Sequence, residues 1–340
     1  MSIHPASRRA PVMKDVARMA GVSYQTVSRV LNQHPNVSAG ARERVEAAIA
    51  ELGYRPNPAA RSLVTRRSQT IGVLASELAQ YGPARTLLGL EQAARDVGYF
   101  VSIATLRTVT PQAVRDAVDH FGDQGVDGLV VVVPHPGLLE ELDRVAPAFP
   151  VVAATSDPER LLAGAGVDQR LGARLAVQHL IGLGHTSIGH LAGPFDWYDA
   201  AERVAGWRDA LAGAGLAADL LVEGDWTAAR GYEVGRELAA SRAVTAVLVG
   251  NDQMALGLLR GVQEAGLRVP EDISVVGFDD QPEAAYFFPP LTTVRQDFEE
   301  LGRRCIGALL AALDADAQQA PGVVEPRLVV RSTTGRPVAS

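Results

Sequence analysis

The chain has 340 residues, 47% of them hydrophobic, which suits two or three domains with real cores and excludes a disordered protein. No apolar run approaches the roughly 20 residues of a membrane helix. No apolar block follows Arg8 and Arg9, so a secretory leader is not expected. The single cysteine, Cys305, allows no internal disulfide, and a cytoplasmic chain is expected. The net charge of -7 hides an asymmetry: residues 1–67 carry eleven basic against four acidic residues, +7, leaving -14 on the remainder. A basic head on an acidic body points to a polyanion partner for the head alone.

The head comes first in chain order. Residues 14–20 read as a helix with Val16 and Ala17 inward, and Gly21-Val22-Ser23 as a tight turn. Ser23 suits the N-cap of a second helix over 24–32. There Val27, Val30 and Leu31 recur at helical spacing, leaving Tyr24, Gln25, Ser28 and Arg29 on an outward arc. A third helix, 39–52, is expected to be capped by Ser38 and to bury Val45, Ala48, Ile49 and Leu52. Three short helices with a glycine turn between the first two form a helix-turn-helix. Its second helix enters a major groove, where Gln and Arg make bidentate contacts to base edges. Tyr24, Gln25 and Arg29 are the candidate base readers. Ser23, Thr26, Ser28, Asn32, Ser38, Tyr54 and Asn57 are the candidate phosphate contacts.

Proline-bearing residues 55–58 open a linker, with Pro58 at a plausible first helical position and helix formers through Leu63. This segment is too short to be a stable helix alone. From residue 70 the pattern alternates. Strands are expected at 71–74, 101–104, 129–133, 151–154, 188–191, 246–249, 273–278 and 327–331, and helices at 87–97, 113–124, 171–183, 203–214, 229–240 and 254–265. Short continuous apolar strands alternating with helices specify parallel sheets covered on both faces.

The stretch 13–32, MKDVARMAGVSYQTVSRVLN, and the stretch 45–57, VEAAIAELGYRPN, closely resemble the head of the LacI/GalR family of bacterial regulators. The resemblance continues through 224–226, 249–257, 266–280 and 289–298. It implies an N-terminal all-α helix-turn-helix head plus an α/β two-lobed, periplasmic-binding-protein-like effector domain with parallel sheets. The implied layout is a DNA-binding domain over 1–56, a hinge helix and linker over 57–69, and an effector-binding and dimerisation domain over 70–340. One lobe would take 70–167 and 298–325, the other 168–294 and 326–334. The resemblance further implies a double-stranded palindromic operator read by a homodimer. Leu63 would be a minor-groove wedge in a hinge helix that folds on DNA; the alternative is a linker leucine packed on its own body.

By the same resemblance Arg203, Asn251 and Asp279 would bind the hydroxyls of a small sugar, and Trp226 would stack on its ring. Ser76, Gln296 and Phe298 would line the cleft from the other side. Each also has a structural reading: Asp279 as a turn cap, Trp226 as core, Arg203 as a partner of Glu202 or Asp199. Positions where galactoside-sensing members offer polar groups are Thr155, Val132 and Trp197 here, and their aromatic wall is Val167. A lost carboxylate at Thr155 removes a strong acceptor unless Asp157 or Asp168 replaces it.

The chain ends soon after its last strand with no leucine heptad tail, so a dimer is expected rather than a tetramer. The effector could also be something other than a sugar, or a corepressor that tightens DNA binding. Neither phosphate loop, dinucleotide glycine signature nor nucleophile elbow is present, and none of the seven histidines forms a helical i, i+4 metal pair. No enzyme, cofactor or metal site is expected, and an exported binding protein is disfavoured by the missing leader.

Overall fold

The computed structural model describes residues 11–31, 34–54, 67–132, 135–157, 164–314 and 322–338. Asn32, Asn57 and Leu63 fall outside them. The chain divides into two compact units, Met1–Ser68 and Gln69–Ser340.

The first unit holds α1 (Met13–Ala20), α2 (Tyr24–Leu31) and α3 (Ala39–Leu52). Gly21 ends α1 in the left-handed region at φ 62°, a conformation cheap only for glycine, and the Val22 amide returns to the Ala17 carbonyl. Val16, Ala17, Ala20, Val27, Val30, Val45, Ala48 and Tyr54 make the core. Ile49, Leu52 and Leu31 pack partly buried at its margin. The Arg44 Nε donates to the Ala20 carbonyl at 3.2 Å, tying α3 to the open C-terminal end of α1. Ser38 occupies the N-cap position of α3, yet its hydroxyl makes no cap bond, which corrects the expected role.

The second unit contains two six-stranded sheets. Lobe 1 is built from β1 (Thr70–Ser76), β2 (Phe100–Leu106), β3 (Gly128–Val132), β4 (Val151–Ala154), β5 (Gly164–Val167) and β11 (Gly322–Val324), in the order β11-β5-β4-β3-β1-β2. Lobe 2 takes β6 (Ile188–Ala192), β7 (Leu221–Glu223), β8 (Ala246–Val249), β9 (Ser274–Asp279), β10 (Thr292–Arg295) and β12 (Arg327–Val329), in the order β12-β10-β9-β8-β6-β7. Pairing is parallel except at the β10–β12 edge.

Helices cover both faces of each sheet, as continuous apolar strands require. In lobe 1, α4 (Tyr81–Asp96) and α11 (Phe298–Leu313) cover one face, and α5 (Pro111–Gln124) and α6 (Pro136–Val145) the other. In lobe 2, α7 (Gln169–Gly182) and α8 (Tyr198–Gly213) cover one face, and α9 (Ala228–Ser241) and α10 (Asp252–Glu264) the other. The chain passes between lobes three times: after β5, after β10 and between β11 and β12. Among the described residues, β5, β7, β10, β11, α6 and α11 go beyond the expected elements, and the last strand stops at Val329.

Candidate functional site

Two sites stand on these frames. On the head, burial of Val27 and Val30 fixes the rotation of α2 and turns the opposite face outward. Tyr24 is 55% exposed, and Gln25 and Arg29 are exposed beside it. Arg29 is exposed, and among the described residues its guanidinium has no ion-pair partner. Ser23 Oγ accepts from the Thr26 amide at 3.1 Å and meets Thr26 Oγ1 at 2.9 Å, so the cap organises both hydroxyls where the helix begins. Ser28 is half-buried and Ser38 exposed. Tyr54 departs from expectation. Only 7% exposed, it is a core residue, and burial pushes its phenol pKa upward, so its ring serves packing rather than a solvent-facing phosphate contact.

In the second unit, a cavity of about 430 Å³ is lined by Pro83, Thr86, Val132, Thr155, Val167 and Leu301 among others. It shares Gly82, Pro83, Trp197 and Asp199 with a neighbouring cavity of about 300 Å³ bounded by Tyr81, Arg203, Trp226, Asn251 and Asp279. Together they form one cleft between the lobes. Its polar side collects residues at the C-terminal ends of parallel strands, where the sheet topology leaves a crevice.

Arg203 is the hub of that side. It is 3% exposed, and its guanidinium lies 3.8 Å from the Phe278 ring centroid. Its Nε donates to Gln169 Oε1 at 2.9 Å and its Nη1 to the Gly250 carbonyl. Nη2 stands 3.6 Å from Asp199 Oδ2 and 3.9 Å from Asp279 Oδ1. Gln169 Nε2 donates to Gln296 Oε1 at 2.8 Å, and Gln296 Nε2 to Asp279 Oδ1 at 2.7 Å. Arg203, Gln169, Gln296 and Asp279 thus close a ring in which each buried polar group has a partner. The Asp279 oxygen and the Asp199 carboxylate at its edge remain as acceptors for ligand hydroxyls.

Burial raises the Asp279 carboxyl from 3.8 to about 6, against the opposing pull of Arg203 and the Gln296 amide. A folded pKa above the unfolded one means the stabilisation is complete below 3.8 and is lost as pH rises through about 6. Replacing Asp279 with Asn should remove that slope. Urea melts from pH 4 to 8 should show the variant gaining on wild type as pH rises, and parallel curves would contradict the assignment.

The structure brings Arg203, Trp226, Asn251, Asp279, Gln296 and Phe298 to this cleft. Asn251 is engaged structurally: its Oδ1 caps α10 through the Met254 amide at 2.8 Å, and its Nδ2 donates to the Trp226 carbonyl at 3.1 Å. Ser76 is a correction. It is 4% exposed at the end of β1 and does not line either cavity. The carboxylate absent at Thr155 is not replaced by Asp168, whose Oδ1 caps α7 at the Leu171 amide, nor by Asp157, which is absent from the lining. Asp199 faces both cavities instead. Gln169 and Tyr81 also join the site unforeseen, since no local pattern marks a helix-start glutamine as the link between two strand ends.

A model of bacterial regulatory proteins of the lacI family matches residues 12–57, and one of periplasmic binding protein-like domains matches residues 177–334. The lactose operon repressor of Escherichia coli K12 is 39% identical over 95% of this chain and 90% of its own length. This chain belongs to the LacI family. Its fold matches the lac repressor dimer bound to operator and the anti-inducer ONPF, with a TM-score of 0.84 and 37% identity over 96% of this chain and all of that one. It also matches the CelR–cellobiose complex, with a TM-score of 0.71 and 34% identity over 95% of this chain and 99% of that one. A member of this family is a transcriptional regulator and not an enzyme. Among the described residues no helix is long and apolar enough to cross a membrane.

Proposed function

We propose that this LacI-family chain is a cytoplasmic repressor that binds a palindromic operator as a homodimer and is released by a small neutral sugar. The observation that carries the reading is the exposed row of Tyr24, Gln25 and Arg29 on a helix whose opposite face is locked into the head's core. In this reading α2 lies in the major groove and Arg29 grips a guanine edge. Residues 57–69 supply the hinge, with Leu63 as the minor-groove wedge, and Ser23, Thr26, Ser28, Asn32, Ser38 and Asn57 hold phosphates. Relatives solved with operator and with cellobiose support both halves of the account.

The ligand chemistry follows from the cleft. Arg203 is already balanced by two carboxylates, so the site offers hydroxyl acceptors and aromatic walls rather than a counter-charge for a phosphate. The sugar stacks on Trp226 and places hydroxyls on Asp279 and Asp199. Closing the lobes on it moves lobe 1, which follows the hinge in the chain, and operator affinity falls by the ligand's preference for the closed state.

Arg29→Ala is expected to cost about 1–3 kcal/mol of operator affinity and to relax base preference at one position per half-site. Selection of preferred duplexes from a random pool checks this. An unchanged preference profile would reject the placement of α2. Thermal-shift titration with lactose, cellobiose, galactose and a purine base tests the ligand class. A shift with the purine and with none of the sugars would overturn the sugar assignment and favour a corepressor.

A further inference from the structure

The end of the β6–α8 loop and the first turn of α8 belong to lobe 2, yet four consecutive residues there reach lobe 1. His135, at the N-cap position of α6, sets its ring edge-on to Trp197, with centroids 4.9 Å apart and planes at 76°. The same ring brings Nδ1 to 3.7 Å from Asp196 Oδ2. Tyr198 packs against the lobe 1 cluster containing Leu138, Leu139 and Leu142. Ser156, just past β4, donates its hydroxyl to Asp199 Oδ1 at 2.5 Å. Polar, aromatic, apolar and hydrogen-bonded contacts therefore all span the lobes within Asp196–Asp199.

Two of these residues also face the cleft. Trp197 meets the Trp226 ring at 5.3 Å and 67°, and Asp199 lies 3.6 Å from Arg203. Each lobe has its own sheet and paired helix layers, so these contacts can part without dismantling either core. Their margin is exposed: the Asp196 side chain is 73% accessible and that of His135 24%, which marks a surface fastening rather than core.

We propose that Asp196–Asp199 is an interlobe strap, anchored by His135 and Ser156, that positions Trp197 and Asp199 and sets the opening of the cleft. A ligand hydroxyl bonded to Asp199 competes with or bridges to the Ser156 hydroxyl, so occupancy is felt by both lobes at one carboxylate. That consequence rests on the cleft being the effector site; the strap itself does not. Effector selectivity then depends on Ser156, which itself lines the cleft beside Asp199, and on His135, which lines neither cavity. His135 is a positioning residue acting through Trp197.

The test is amide hydrogen exchange on the full-length protein without ligand or DNA, so it fails independently of the repressor reading. Wild type is compared with His135→Ala, Ser156→Ala and the double variant, and His135→Gln serves as the conservative control. Opening of the strap raises exchange severalfold in two places at once, the cleft-lining residues 80–86 of lobe 1 and residues 194–203 of lobe 2. The double variant should exceed either single one, while the central strands β3 and β8 keep wild-type protection. Exchange raised only beside the substituted residue, or unchanged, overturns the strap. A rise spread evenly over both sheets also overturns it, because it would assign these contacts to global stability.

Discussion

Replacing Gly193 with Ala is expected to abolish the effector response while leaving operator binding in place. A Cβ at this position would lie 2.0 Å from both Cζ2 and Cη2 of Trp226, so the indole must leave its bed. Retreat is blocked by the chain around it. A Cβ on Gly250 would already approach Trp226 Cζ3 at 3.1 Å, the Asn251 amide holds the Trp226 carbonyl, and the Trp226 backbone sits at φ 67°. A displaced indole would disturb its contacts with Trp197 and Arg203 and so alter the cleft wall. Overpacking of this kind costs about 1–3 kcal/mol, which the second unit can absorb without unfolding. Operator binding measured with and without an inducing sugar checks the result: wild type releases, Gly193→Ala stays bound. A variant that still releases at wild-type sugar concentrations would show that Trp226 does not form the ligand's stacking wall.

Arg203→Met is expected to damage both stability and recognition. The substitution keeps much of the side chain's volume over Phe278 but removes the charge that faces Asp279 and Asp199. Deleting one member of a buried ion pair costs about 3–5 kcal/mol, because the remaining charge stays desolvated and uncompensated. Gln169 Oε1 and the Gly250 carbonyl also lose their donor. The Asp279 carboxyl, already near 6, should rise further without its cation. Asp279→Asn combined with Arg203→Met should therefore recover part of the lost stability while ligand binding remains absent. Arg203→Lys should rescue poorly, since one ammonium cannot reproduce the fork that spans a glutamine, a carbonyl and two carboxylates. Urea melts at pH 7 decide the matter; a loss under about 1 kcal/mol would place Arg203 outside the network's centre.

The head was readable almost to the residue because its signals are local. A turn glycine, a serine cap and the Val27, Val30 spacing set the rotation of α2 without reference to anything distant. Where reading failed, tertiary context decided. Tyr54 looks like a surface polar group, but its position after α3 folds it into the three-helix core. Strand β5 carries GAGV, which has little strand propensity. It forms because a Cβ at Gly164 would lie 2.2 Å from the Ala153 carbonyl, so glycine is what lets the two strands pair.

The cleft was half legible. Trp226, Asp279 and Gln296 sit in stretches that resemble the family, and Arg203 follows from the resemblance as a whole. Asp199 and Gln169 acquire their roles only when α7 and α8 set their first turns beside the ends of β9 and β10. Ser76 shows the opposite failure: a polar residue at a strand end, expected in the lining, that is buried and lines neither cavity.

Fluorescence anisotropy on a labelled palindromic duplex selected from a random pool, titrated with full-length protein before and after adding sugar, tests the central claim most directly. The account predicts tight binding to the selected duplex, much weaker binding to its scrambled counterpart, and release by at least one sugar. Equal affinity for both duplexes would contradict base reading by α2, and tighter binding on sugar addition would contradict release.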